Sequence, residues 1–417
     1  MISFRPISIS LSPNTEKDDI FLALKLLFQP WRYKSELSEL RSPIVELEEE
    51  FKKYLGVKYA ISFNSGRSSL LAILKCLDLT EKSDEVLLQV FTCNAAVNPI
   101  IWANLKPVFV DCNEKTFNID IEDLKRKITP KSRVVIVQHT FGLPAEIDEI
   151  LEICRQNNLI LIEDCAHSLG AEYYGKKIGT FGKAAFFSFS RDKVISSVYG
   201  GMAVTNDENL AKKIKEFQGK IGYPSYFWTF QQLLHPILMN FLILPTYQIL
   251  GKYLLVLFQW FHVLSRAIHW KEKKGLRPGY FPKTLPNALA ALALNQFKKL
   301  EKFNNHRKEI ADFYFQNLKN TSFDLPEKEG IFLRFTIKHQ QAHEIIKKAW
   351  QKNLLIGDWY DKVIAPHDTK LEKMHYQTGS CPKAEKLAKI TLNLPTHINI
   401  SEKEAQKIVD FLKMYGD

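Results

Sequence analysis

Cysteine is scarce: six residues in 417, at positions 76, 93, 112, 154, 165 and 381, with no CxxC pair and no Cys/His cluster. That pattern argues against a disulfide framework and a structural zinc site, and a reducing compartment is expected. The opening MISFRPISIS has neither the charged start nor the apolar run of a secretion signal, so a cytoplasmic protein is expected. No apolar run reaches the ~18 residues that a straight membrane-spanning helix needs. Repeats and low-complexity stretches are absent, and the turn SGRSS (65–69) lacks the GKS/T ending of an ATP-hydrolysing phosphate loop. Acidic residues are outnumbered, 46 against 57 Lys+Arg, for a net charge of +11. The excess is spread out. Its densest runs, KKIKEFQGK and KEKKGLR, do not interleave aromatics, so nucleic-acid binding is not expected.

What is present is ordinary globular usage, 46% hydrophobic and 25% charged, in a chain long enough for two or three domains. Residues 34–55 carry helical spacing up to a stop at Gly56. Strands are expected at 59–63, 85–91, 106–111, 133–140, 158–164, 184–190 and 200–207, with helical segments such as 145–157 between the early ones. Continuous apolar runs alternating with helices predict a parallel sheet covered on both faces, an α/β fold. Residues 221–265 contain one formal charge, Lys252, and two apolar runs broken by Pro236, Pro245 and Gly251. Basic residues flank this block, which reads either as an interfacial membrane contact or as a hairpin buried on the domain or between subunits. Beyond it, a long helix pattern (287–318), a strand (331–337), a helix (342–352) and a capped helix (401–415) form a smaller unit. The expected organisation is an N-terminal helical arm (1–55), a large α/β domain (56–220), an apolar helical insertion (221–278) and a small C-terminal domain (279–417).

Ligands of a doubly wound sheet bind beyond the carboxyl ends of its strands. Asp164 ends LILIED, Lys193 follows FFSFSRD, and NSGRSS joins a strand to a helix start able to hold an anion. A carboxylate, a lysine and an anion-holding turn at strand ends are the groups pyridoxal phosphate (PLP) needs: an acid for the ring nitrogen, an amine for the Schiff base, a cradle for the phosphate.

The stretch EDCAHSLGAEYYGKKIGTFGKAAFFSFSRDKVISSVYGGMAVTND (163–207) resembles the core of the DegT/DnrJ/StrS family of PLP-dependent sugar aminotransferases. KYAISFNSGRSSLLAIL, KPVFVDCNEKTFNID and VQHTFGLPAEIDEI resemble further family segments, and 285–415 resembles the family's C-terminal region. The resemblance implies PLP-dependent transferase fold type I: a large domain with a mostly parallel seven-stranded sheet and a smaller C-terminal α+β domain. It implies Lys193, Asp164 and His167 as catalytic residues, with His167 beside the ring's phenolic oxygen. Ser65, Gly66, Arg67, Ser68 and Ser188 are implied at the phosphate. Cys93 stands where the family stacks an aromatic ring on the pyridine, with Phe91 as the substitute, and Arg67 stands where the family has Thr. His139 is either a site residue or a strand-end structural histidine. The family's G-[YFH]-N-x-R element, which enters the neighbouring subunit's site, appears as GYFPKTLPN (279–287), with Lys283 as the replacement cation.

The implied activity is amino transfer from an amino acid, glutamate for preference, to a nucleotide-linked keto sugar in amino-sugar or surface-polysaccharide synthesis, by a homodimer. The alternatives are a PLP-dependent sugar dehydratase, whose members can carry histidine in place of the lysine, and a regulatory, membrane-associated protein on the same fold.

Overall fold

The computed structural model describes residues 5–33, 42–327 and 330–416. Residues 34–41, the start of the first expected helix, lie outside the described residues; the rest forms a helix at Pro43–Leu55, capped by Ser42 and closed by Gly56 at φ 70°. Seven strands follow: β1 (Tyr59–Phe63), β2 (Glu85–Gln89), β3 (Lys106–Val110), β4 (Ser132–Gln138), β5 (Ile160–Asp164), β6 (Ala184–Ser188) and β7 (Gly201–Thr205). They build one sheet in the order β1-β7-β6-β5-β4-β2-β3. All neighbours are parallel except β7, which runs antiparallel to both β1 and β6. Seven runs of apolar and β-branched residues are buried on both faces because helices cover both, which is why they read as continuous rather than alternating.

The expected strand at 85–91 ends two residues early: Phe91 adopts φ 67°, which takes the chain out of the ladder. The expected helix over 287–318 is two helices, Asn287–Phe297 and Leu300–Leu318. Of the expected strand at 331–337, only Phe335–Lys338 pairs, antiparallel to Thr391–Leu394. These strands, with helices Ala342–Gln351 and Glu402–Lys413 and the second half of the long pattern, enclose a separate apolar core around Phe335, Ile345 and Leu412. The N-terminal arm is not wholly helical: Ile7–Ser8 pairs in parallel with Leu354–Leu355, joining the arm to this smaller unit.

The apolar block folds as helix Tyr226–Leu238, continued by a wide helical turn, Met239–Ile243, and helix Lys252–Trp260. The two limbs, Tyr226–Ile243 and Tyr247–Trp260, meet at 111°, and among the described residues no single helix is long and apolar enough to cross a membrane. The first limb packs into the body through Trp228 and Leu233; the second has no buried residue in its helix. Burial within the chain covers only part of the second limb: Leu255 and Phe258 pack, half-buried, on Met239, Ile243, Leu244 and Leu264, while Tyr253, Val256, Leu257 and Trp260 stay exposed.

Candidate active site

The carboxyl ends of β5, β6 and β1 converge on a cavity of about 220 Å³, whose walls include Ser65, Gly66, Arg67, Cys93, Asp164, His167, Ser188 and Lys193. Each arrives there for a local reason. Ser65 caps helix Gly66–Cys76: its Oγ accepts the Ser68 N–H at 3.1 Å. The N–H groups of Gly66 and Arg67, the first two of that helix, are left to face an anion at the positive end of its dipole. The close fit requires glycine on the neighbouring strand. A Cβ on Gly201 would lie 2.4 Å from the Ser65 carbonyl carbon and 2.5 Å from the Gly66 nitrogen. A Cβ on Gly66 would meet that of Ser188 at 3.0 Å.

Asp164 ends β5 as a buried carboxylate that accepts one N–H, from Ala166 at 3.0 Å. Burial pushes it up from 3.8 to about 6, against the pull of that bond and of Lys193. Lys193 lies across the cavity, its Nζ 4.8 Å from the centre of the Trp359 ring. Burial holds this ammonium below its ordinary value, although Asp192 and Asp164 counteract it. The loop behind it is fixed from outside the sheet. Asn14 of the N-terminal arm donates to the Lys193 and Val194 carbonyls, and the fully buried Arg307 donates to Val194 O and to Asn14 Oδ1, both at 2.9 Å.

His167 is stacked between Phe141 (5.8 Å between centroids, 6° between planes) and Trp359 (5.5 Å, 21°). Its Nδ1 accepts the Phe141 N–H at 3.2 Å, so a neutral ring carries its proton on Nε2, 3.4 Å from Tyr360 Oη. Burial, with the charges of Lys193 and Arg334, pushes the imidazole well below its ordinary value, so the ring is neutral. A carboxylate for a pyridinium, a neutral imidazole N–H for a phenolate oxygen, an amine and a helix start for a phosphate share one cavity. This donor set fits PLP.

Several expected residues stand elsewhere. Phe91 does not line the cavity: its positive φ turns the ring inward, where it stacks on Phe117 at 5.6 Å and meets Tyr360 edge-on. It cannot stand in for a stacking ring. Ser68 is also turned away. Its N–H is taken by Ser65 and its hydroxyl donates to Asn64 Oδ1 at 2.7 Å, so it supports the turn from behind. Arg67 lines the cavity, but its Nε lies 2.8 Å from Glu272 and its Nη2 donates to the Ala267 carbonyl. Glu272 and the Ala267 carbonyl hold two of the guanidinium nitrogens, and at the helix start the residue offers its backbone N–H. Cys93 sits in the wall as the cap of helix Asn94–Trp102, accepting the Ala95 N–H. His139 is structural, its Nδ1 accepting from Ala145 and its Nε2 donating to Glu163. Lys283 Nζ donates to the Ile221 carbonyl.

The site also holds residues that no sequence motif announced. Asp358, Trp359, Tyr360 and Asp361 enter the cavity from the smaller unit, next to a short parallel pairing of Ile364–Ala365 with Thr92–Cys93. The Trp359 indole lies under the Arg334 guanidinium, which is ion-paired with Asp192 at 3.1 Å. Their only signal in the sequence is two adjacent aromatics between acids.

Known proteins resemble this chain along most of its length. A GDP-perosamine synthase of Caulobacter vibrioides is 27% identical over 88% of each chain. An uncharacterized protein of Methanocaldococcus jannaschii is 33% identical, covering 76% of this chain and 69% of its own. The solved structure of Helicobacter pylori PseC, an aminotransferase involved in pseudaminic acid biosynthesis, superposes with a TM-score of 0.75 over 98% of both chains at 22% identity. Residues 34–231 and 259–413 match one family, with a break that falls within the apolar block. The chain belongs to the DegT/DnrJ/EryC1/StrS aminotransferase family.

Proposed function

We propose that this protein is a PLP-dependent aminotransferase that moves an amino group from an amino acid, glutamate in our reading, to a keto sugar carried on a nucleotide, for amino-sugar or surface-polysaccharide synthesis. The observation that carries the reading is the meeting of Lys193, Asp164 and His167 in one cavity, with the start of helix Gly66–Cys76 as its anion-holding wall. The GDP-perosamine synthase named above, whose name carries a nucleotide-linked amino sugar, supports the substrate class. The reading includes a cytoplasmic homodimer.

PLP, when bound, supplies a carbonyl carbon that captures amines and a protonated ring that withdraws electrons from the substrate's carbon. The chain supplies the rest. Asp164 holds the proton on the ring nitrogen, because a carboxylate in a dry cavity gains more from an adjacent cation than one in water does. Gly66 and Arg67 N–H groups and Ser188 Oγ hold the phosphate. His167 Nε2–H donates toward the phenolic oxygen. Lys193 Nζ, favoured in its neutral form by burial, takes the proton from the donor's α carbon and returns one in the second half-reaction. Trp359 covers the lysine and keeps water from it.

The test is the visible spectrum of the purified full-length protein. An absorbance band of lysine-bound cofactor that shifts on adding glutamate, and that Lys193→Ala abolishes, is expected. A protein that stays colourless with added PLP overturns the reading in favour of a non-catalytic relative.

A further inference from the structure

The strongest unexplained feature is an apolar surface assembled from two distant segments. On the second limb of the bent helical pair, Val256 and Trp260 are 65% and 67% exposed, and Phe261 beside them is 61% exposed. One side of this helix, Leu255 and Phe258, is half-buried against Met239, Ile243, Leu244 and Leu264, while Tyr253, Val256, Leu257 and Trp260 form an exposed apolar side of the kind normally covered by protein or lipid. The first limb adds Phe227, Phe230 and Phe241, exposed at helical spacing. Packed beside it is helix Lys17–Leu27, which presents Phe21 and Lys25, followed by Phe28, Trp31 and Arg32, on its open side. Aromatic residues interleaved with basic ones are the composition of a bilayer interface.

Charge identifies the occupant. No acidic residue occurs from Phe217 to Lys271, and the next, Glu272, is fully buried against Arg67. The exposed charges of the block and its flank are Lys220, Lys252, Arg266, Lys274 and Arg277, all positive. Two copies of this face brought together about a twofold axis would set like charges against each other, which disfavours a second copy as the cover. An anionic lipid headgroup layer complements the same rim. The elbow of 111° between two limbs suits a hairpin lying in one leaflet rather than crossing it.

The chain leaving this hairpin runs straight into the cavity wall. Arg191 donates to Ser265 O and Oγ at 2.7 and 2.6 Å, Tyr199 Oη donates to Arg266 O, and Ala267 and Ile268 line the cavity. We propose that the face formed by residues 21–32 and 227–261 docks onto an anionic lipid bilayer, seating the enzyme as a monotopic membrane protein with its active-site wall next to the headgroups. The proposal stands apart from the aminotransferase reading, since docking needs no turnover.

Co-sedimentation of the full-length protein with vesicles tests it. Wild type is expected to pellet with phosphatidylethanolamine–phosphatidylglycerol vesicles, to bind at least tenfold less to pure phosphatidylcholine, and to be partly released by salt. Val256→Ser/Trp260→Ser/Phe261→Ser, three changes at unburied positions, is expected to lose at least tenfold in vesicle affinity while keeping the wild-type circular dichroism. Should that variant misfold, Lys252→Glu/Lys274→Glu/Arg277→Glu provides the same test at surface charges. Wild type remaining in the supernatant with anionic vesicles overturns the proposal, as does equal binding to neutral ones. A lipid-free dimer that the triple serine variant dissociates also overturns it, and assigns the face to a second copy.

Discussion

Asp164→Asn separates the two demands that the fold places on one carboxylate. In protein stripped of cofactor, burial raises Asp164 from 3.8 to about 6. Its folded value lies above its unfolded one, so the unfolded state ionises first as pH rises. The stability present below pH ~4 is lost as pH climbs through about 6. At about 1.36 kcal/mol for each pH unit, the charged side chain costs the cofactor-free fold roughly 3 kcal/mol at pH 7. Asparagine has nearly the same shape and cannot ionise. Cofactor-free Asp164→Asn is therefore expected to match wild type near pH 4 and to exceed it by about 2–3 kcal/mol at pH 7. Denaturant unfolding of both proteins at a series of pH values reads that difference directly. The same variant should lose catalysis, because a buried positive ring nitrogen without its partner costs about 3–5 kcal/mol, or a factor of about 10² to 10⁴. A stability difference that does not change with pH, or a variant less stable than wild type at pH 7, refutes the account of Asp164 as a desolvated carboxylate waiting for a cation.

Two further outcomes test the scaffold of the site. Gly201→Ala forces a methyl group to within 2.4 Å of the Ser65 carbonyl carbon, displacing the start of the helix; a loss of about 1–3 kcal/mol is expected, with weakened PLP affinity measured by absorbance titration. Glu163 is fully buried and accepts the N–H groups of Gly179, Phe181 and Gly182 at 2.7–2.8 Å. Burial raises its carboxyl, but the bonds from His139 and these backbone groups outweigh that and hold it below the ordinary range. Its stabilisation is thus present at neutral pH and lost as pH falls through that lowered value. Glu163→Gln, which turns an amide NH₂ toward those donors, is expected to lose about 3–5 kcal/mol at pH 7 in thermal or denaturant unfolding.

Much of the site was legible because it lies on strand ends. LILIED and FFSFS are apolar enough to be strands under any packing, so Asp164 and Lys193 had to emerge at the same edge of the sheet. The strand–turn–helix of NSGRSS likewise had to present Gly66 and Arg67 N–H groups there. What lay on loops or depended on distant partners was not legible. Phe91 sits two residues from Cys93, yet one positive φ sends it into an aromatic cluster instead of the cavity. Nothing near Arg67 in the sequence indicated Glu272 as its partner, some two hundred positions on. Trp359 and Tyr360 approach the cavity only because Ile364–Ala365 pairs with Thr92–Cys93. The break of the 287–318 pattern into two helices falls at Lys298–Lys299, where the apolar spacing continues unbroken; Lys299 is held instead by Asp18 and Asp19 of the arm.

Taken alone, the order of apolar runs determined the α/β layering and the edge where the chemistry sits, since each run buries itself locally and points its end residue outward. The tertiary structure decided which groups are free to act. Arg67, Ser68 and His139 are bound within the fold, while Lys193, Asp164 and His167 keep an atom toward the cavity. It also decided that helix Lys252–Trp260 packs Leu255 and Phe258 on a small cluster around Ile243 and Leu264 and leaves Val256, Leu257 and Trp260 exposed. Burial is a property of what packs against a segment, and that is set by contacts between residues far apart along the chain.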